Sequence, residues 1–161
     1  MILAGTGHRP EYLGGHDVLP KLVSYATEAL EHRKPERLLS GMALGWDQAL
    51  AQAAVNLGIP FSAIIPFRGQ ESIWPDGSKR LYHDLLSRAH EIVVVSQGGY
   101  ATWKYIKRDQ WLVDQSDAML ALWSGIKKGG TYQCLVYAER VGRPIDNLWA
   151  GWESKKDNAT E

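Results

Sequence analysis

A single cysteine, Cys134, is all the thiol that 161 residues contain. No intramolecular disulfide can form, which fits a reducing compartment. Cys134 itself reads as a small core hydrophobe within a helix. Net charge is missing too, because 18 basic side chains balance 18 acidic ones. That removes any overall attraction to nucleic acid or an anionic membrane and leaves only a local basic patch open. The chain has no run of about 18 apolar residues, and its start lacks a basic segment followed by an apolar one. No membrane span and no signal peptide are expected, and the expected location is cytoplasmic. His8, His16, His32, His83 and His90 are scattered without zinc-ligand spacing, so no metal site is expected. There is no Gly-x-Ser-x-Gly nucleophile elbow. The Gly-x-Gly-x-x-Gly dinucleotide fingerprint and the triphosphatase phosphate loop are likewise absent.

What is present is alternation. Ordinary hydrophobic and charged fractions, 45% and 22%, exclude global disorder. Short apolar runs at 1–4, 36–40, 59–66, 91–96 and 118–123 predict strands. Between them, segments 16–32, 47–57, 78–89, 103–116 and 130–141 carry helical spacing. Asp17 is expected to cap the first helix, where Pro20 fits the first turn. Gly58 stops the second helix. The run 59–66 is almost continuously apolar, as a strand covered on both faces must be. A last short strand begins at Arg143. Strand–helix alternation without a repeat or linker predicts an α/β fold: a single doubly wound, mainly parallel, Rossmann-like sheet. Residues 1–150 form the expected domain and 151–161 a polar C-terminal tail, frayed from Glu153.

Three glycine-bearing loops follow predicted strands, and in a parallel sheet such loops meet along one edge. The first holds Gly5, Thr6, Gly7, His8 and Arg9. Its glycines permit close backbone approach, and its N–H groups suit an anion. The second runs Ser40, Gly41, Met42, Ala43, Leu44, Gly45, Trp46, Asp47. Gly41 and Gly45 relieve the turn, and Asp47 sits at a helix mouth, where a carboxylate can cap free N–H groups. The third, Gly129, Gly130 and Thr131, is the best phosphate candidate. Bare backbone N–H groups open a helix there, a hydroxyl adds a donor, and Lys127 and Lys128 raise the local field. Phe67 and Trp74 lie in a mixed polar and aromatic loop and can line a pocket or close the core. Trp103, Ile106, Trp111 and Val113 do not share one helical face, which predicts self-association through that helix.

The run from Ser40 to Asp47 resembles the Ser-Gly-x-Ala-x-Gly-x-Asp signature of the DprA branch of the SLOG superfamily, named for the DNA-processing protein DprA and the cytokinin-activating LOG enzymes. Arg108-Asp109-Gln110 resembles that branch's Arg-Asn-Arg, with Asp109 where asparagine is usual. Pro66-Phe67, Gln70, Trp74, Tyr100, Arg108 and Gly129-Gly130-Thr131 together look most like the small YpsA-like proteins. The resemblance spans residues 1–145. It implies a Rossmann-like fold binding a nucleotide or an ADP-ribose-like ligand along the loop edge, and a homo-oligomer. LOG-type members hydrolyse a nucleotide's N-glycosidic bond with a Gly-Gly-x-Gly-Thr-x-Glu-Glu motif. Gln133 and Cys134 stand where those glutamates fall, and neither can serve as a carboxylate base. The function expected is therefore binding or sensing of a nucleotide. An N-glycosidase is the alternative, and DprA-like single-stranded DNA binding the second.

Overall fold

The computed structural model describes residues 1–159. Six strands form one sheet, every pair parallel: β1 (Ile2–Gly7), β2 (Arg37–Ser40), β3 (Phe61–Ile65), β4 (Glu91–Val94), β5 (Ala118–Leu122) and β6 (Ile145–Asn147). Their order across the sheet is β4-β3-β2-β1-β5-β6. The chain therefore reverses its direction of travel between β1 and β5, the point at which open α/β sheets leave a crevice. Helices α1 (Leu19–Arg33), α2 (Trp46–Leu57), α3 (Asp76–Arg88), α4 (Thr102–Gln115) and α5 (Gly130–Arg140) connect them. A sixth helix, α6 (Trp149–Ala159), follows β6.

Period-two alternation along the strands divides the core in two. Leu3, Leu38, Phe61, Ile65, Leu120 and Leu122 face one side and pack against α1, α2, α3 and Trp152 of α6. Ala4, Leu39, Ile64 and Met119 face the other and meet Leu112 and Val113 of α4 and Cys134 and Ala138 of α5. β3 is buried along its whole length, as its unbroken apolar run predicts.

The structure departs from the sequence reading at both ends. Residues His16–Val18 form a 3-10 turn, and α1 starts after Val18 with no side-chain cap, so Asp17 does not cap it. The stretch expected to fray from Glu153 is helical as far as Ala159. Trp152 is the reason, since its ring lies 1% exposed against Tyr25 and the core. Lys155 pairs with Glu28 at 2.7 Å and ties α6 to α1. Thr160 and Glu161 of that expected tail lie outside the described residues.

Behind Gly7, at the end of β1, lies Trp46. Its indole is fully buried and donates through Nε1 to the Leu120 carbonyl at 3.2 Å, joining α2 to β5. Gly7 makes room for it, because a Cβ there would stand 2.5–2.6 Å from three Trp46 atoms. Gly7→Ala is expected to destabilise the protein by about 1–3 kcal/mol through overpacking. Urea unfolding checks this; an unchanged midpoint would show that the indole can yield.

Candidate nucleotide-binding cleft

A cleft of about 320 Å³ opens at the carboxyl ends of β1 and β5. The end of β1 supplies Thr6 and Gly7, followed by His8 and Arg9. The loop before α2 and its first turn supply Ala43 and Asp47, and α4 supplies Tyr105, Arg108 and Asp109. The segment after β5 closes the ring with Ile126, Lys128, Gly129, Gly130 and Thr131. All three glycine loops thus contribute to one cleft.

His8 is held rigidly. The Ser124 backbone N–H donates to its Nε2 at 2.9 Å, so the ring proton sits on Nδ1. Burial lowers its pKa. Its ring stacks on Tyr12, with centroids 4.8 Å apart, and meets the Trp149 edge.

Arg108 is the buried hub, 4% exposed. Its Nη1 donates to the carbonyls of Gly41 at 2.5 Å and Ile64 at 3.2 Å, while Nε donates to Asp109 Oδ1 at 2.8 Å. A Cβ on Gly41 would lie 2.8 Å from the guanidinium and 3.0 Å from Asp47 Oδ2, so only glycine leaves room for this arrangement. Burial works against the Arg108 charge, but Asp109 and Asp47 beside it hold its pKa up. Burial also pushes Asp109 up, against the pull of Arg108.

Asp47 does not cap α2. The cap position is Gly45, at φ +92° with no side-chain bond, and a Cβ there would strike the His8 carbonyl. Asp47 sits within the first turn and accepts from the Ala43 N–H at 3.4 Å through Oδ2. Its Oδ1 is buried and has no hydrogen-bond partner among the described residues. The residue is 8% exposed and lines the cleft. Burial pushes its pKa up to about 7, although Arg108 pulls the other way. Between pH 4 and 7 the folded protein holds a proton that the unfolded chain has released. Asp47 therefore favours folding at the acid end, and that contribution is lost as pH rises through about 7. Asp47→Asn removes this slope. The variant should gain on the order of a few kcal/mol relative to the parent between pH 5 and pH 8, measured by urea unfolding at both. Parallel curves would show that Asp47 titrates normally.

Other expected site residues lie behind the wall. Gly5 packs on Leu50, and a Cβ there would collide with it. Ser40 Oγ accepts from the Met42 N–H at 3.2 Å and donates to the Asp47 carbonyl at 2.9 Å. Met42 is fully buried at φ +63°, a left-handed conformation held by this network. Phe67, 3% exposed, backs the cleft residue Tyr105 edge-on at 5.4 Å. Trp74 packs on Tyr82 instead of the cleft. Lys128, expected to raise the field at the third loop, lines the cleft, and so do Tyr12, Tyr105, Asp109 and Ile126, which the sequence did not mark as ligand-facing. The signal for two of them was spacing: Tyr105 and Asp109 are one helical turn apart, with Arg108 next to Asp109. Gln133 and Cys134, aligned with the LOG glutamates, line a neighbouring groove and not this cleft.

A six-stranded parallel sheet, helices on both faces and a cleft at the switch point define a Rossmann-like protein. The chain belongs to the YspA SLOG family, whose model (YpsA) matches residues 6–141. It is 29% identical over 137 residues to the SPbeta prophage-derived protein YoqJ of Bacillus subtilis, covering 75% of this chain and 80% of that protein. It is 27% identical over 152 residues to the UPF0398 protein YpsA of the same organism, covering 86% and 84%. Among solved structures, DNA processing protein A (DprA) of Streptococcus pneumoniae superimposes with a TM-score of 0.65 at 21% identity, over 90% of this chain. This chain spans 49% of that protein's length. DNA processing protein A of Helicobacter pylori, solved for its single-stranded DNA binding mode, gives 0.65 at 17% identity over 91% of this chain and 64% of its own. These likenesses show the fold. Among the described residues no helix is long and apolar enough to cross a membrane.

Proposed function

We propose that this protein binds a nucleotide or nucleotide-derived ligand in the cleft, with a phosphate at the Gly129-Gly130-Thr131 helix start, and acts as a binding or sensing protein without turnover. One observation carries the reading. A helix start without side chains lines the same cleft as Asp47, whose buried Oδ1 lacks a partner. The first suits a phosphate through bare N–H groups, helix dipole and Lys128. The second suits a hydroxyl donor, which is what a ribose offers. The reading without turnover rests on the LOG comparison: Gln133 and Cys134 stand where that motif carries its glutamates, burial pushes the Cys134 thiol up, away from reactivity, and the cleft's own carboxyls are Asp47 and Asp109.

Native mass spectrometry of freshly purified protein, followed by calorimetry with nucleoside mono- and diphosphates, tests this. A bound nucleotide, or a micromolar constant, is expected, with no free base released on incubation. No affinity for any of these ligands would overturn the proposal.

Single-stranded nucleic acid is a second reading, and one surface favours it. Tyr100 and Trp103 are 75% and 56% exposed. Exposed Lys107 lies over the Trp103 ring at 5.9 Å, while Lys104, at 5.6 Å, is buried and donates to the Gln97 and Gly99 carbonyls; Tyr100 adjoins the cleft residue Tyr105. Exposed rings beside cations are what base stacking on a single strand uses. Anisotropy of a labelled oligothymidylate should then fall about tenfold in affinity for Trp103→Ala, at about 1.4 kcal/mol per tenfold. An absence of binding at low salt sinks this reading alone. The same exposed Trp103 supports the self-association expected for α4, and light scattering at micromolar concentration should give a mass above 18.0 kDa.

A further inference from the structure

Asn147 ends the edge strand β6, is exposed, and lines no part of the cleft. Its amide completes the sheet beyond the strand. Oδ1 accepts from the Trp123 N–H at 3.1 Å, and Nδ2 donates to the Trp123 carbonyl at 3.0 Å. One side chain thus satisfies both backbone groups of the residue at which β5 runs out, as a neighbouring strand would. Oδ1 also accepts from the Trp149 N–H at 3.3 Å, at the start of α6. Trp123 passes this anchoring to the cleft by two routes. Through the backbone, the next residue, Ser124, sets its N–H and its hydroxyl each 2.9 Å from His8 Nε2. Nε2 accepts, so the ring proton is on Nδ1. Among the described residues Nδ1 has no bonded partner, and it is not sealed from solvent. Trp149 meets the same ring edge-on at 5.6 Å. Through its side chain, Trp123 donates from Nε1 to the Ile126 carbonyl at 2.9 Å and stacks on Tyr132 at 5.9 Å, which braces the loop carrying Gly129 and Gly130.

We infer that Asn147 is a positioning residue for the cleft: it holds His8 in one tautomer, with Nδ1–H as a fixed donor to the ligand, and steadies the start of α5 across from it. The inference rests on the nucleotide reading above for what enters the cleft, and adds a residue outside it that sets two of its walls. An imidazole without such an anchor moves its proton between the two nitrogens and offers a ligand a donor in one state and an acceptor in the other. With the Ser124 N–H held against Nε2, only the donor is offered, and the ligand atom facing His8 must accept. The anchor cannot come from His8 itself, whose ring nitrogen depends on where the chain after β5 is placed. That placement is what the Asn147 amide supplies at Trp123, one residue before Ser124.

Ring-nitrogen NMR of the intact, ligand-free protein, isotope-labelled at histidine and held at alkaline pH, reads the tautomer directly. The parent should show His8 with its proton on Nδ1 alone. Asn147→Leu, and the milder Asn147→Ala, remove the amide from an exposed position. In both, His8 should average over the two tautomers, and calorimetry should show adenosine diphosphate bound about fivefold more weakly. Asp146→Ala is the control. It takes from the same strand the carboxylate paired with Arg33 at 2.6 Å, so it loosens β6 without touching Trp123. There the single tautomer should persist and affinity should stay within about twofold. A single Nδ1 tautomer in both Asn147 variants overturns the inference. So does equal averaging in Asp146→Ala, which would make the effect one of stability. Averaging with no loss of affinity also overturns it, since His8 would then serve no ligand, and the nucleotide reading stands. A parent that does not bind adenosine diphosphate counts against the nucleotide reading, while the tautomer result still decides whether Asn147 positions His8.

Discussion

Arg108→Met is expected to cost about 3–5 kcal/mol, the price of leaving the half-buried Asp109 and the buried Asp47 without the cation beside them. Asp109 would lose the guanidinium held at 2.8 Å, and the Gly41 and Ile64 carbonyls would lose their donor. Methionine fills much of the volume, so a cavity contributes little and the loss is electrostatic. A domain of this kind has about 5–15 kcal/mol in total, and the variant should sit near the edge of folding at neutral pH. Adding Asp109→Asn should recover part of the loss, since a neutral amide tolerates burial without a cation. Urea unfolding of the parent, the single variant and the double variant measures both steps. A single-variant loss below about 1 kcal/mol would show that Arg108 serves the ligand and not the fold.

Gly130→Asp separates stability from binding more sharply. Gly130 opens α5 just after the Gly129 cap, and a side chain there enters open space. A carboxylate in the first turn meets the positive end of the helix dipole, which should raise stability by about 0.3–1 kcal/mol. The same field is what a phosphate would use. With the site already holding a negative charge, affinity for a nucleotide should fall at least a hundredfold, or about 2.8 kcal/mol at 1.4 per decade. A protein that unfolds slightly later and binds far worse is the expected pair of results, read by circular dichroism and calorimetry. Affinity retained in full would remove the helix start from the site.

Much of this architecture is written in local pattern. The apolar run of β3 and the alternating strands announce a sheet covered on both faces. Glycines after three strands announce where the chain turns at the cleft edge. What local pattern does not carry is the direction in which a side chain points. Met42, Phe67 and Trp74 sit in loops beside the cleft yet turn into the core, because loop residues lack the periodicity that marks an inward face. Tyr105 and Asp109 had that periodicity, but a helix read for its apolar stripe draws the eye to Trp103 and Ile106 instead. Asp47 reads as a cap by position. The cap is Gly45, because only a residue without Cβ fits against the His8 carbonyl at that φ. Trp152 shows the limit of composition, since one buried indole orders a segment otherwise rich in charge.

The two faces of the sheet are unequally furnished. Among the described residues the α1–α2–α3 side gathers twenty-three buried apolar side chains and the α4–α5 side eight. Opening free energy follows buried apolar contact, so the thinner side should exchange its amide hydrogens first. The cleft straddles that difference, with Asp47 on the well-anchored half and Gly130 on the loosely anchored one. A ligand clasped between them would slow exchange chiefly in α4 and α5. Occupancy would then be broadcast from the half of the molecule that has stiffness to gain, while the other half serves as its fixed mount.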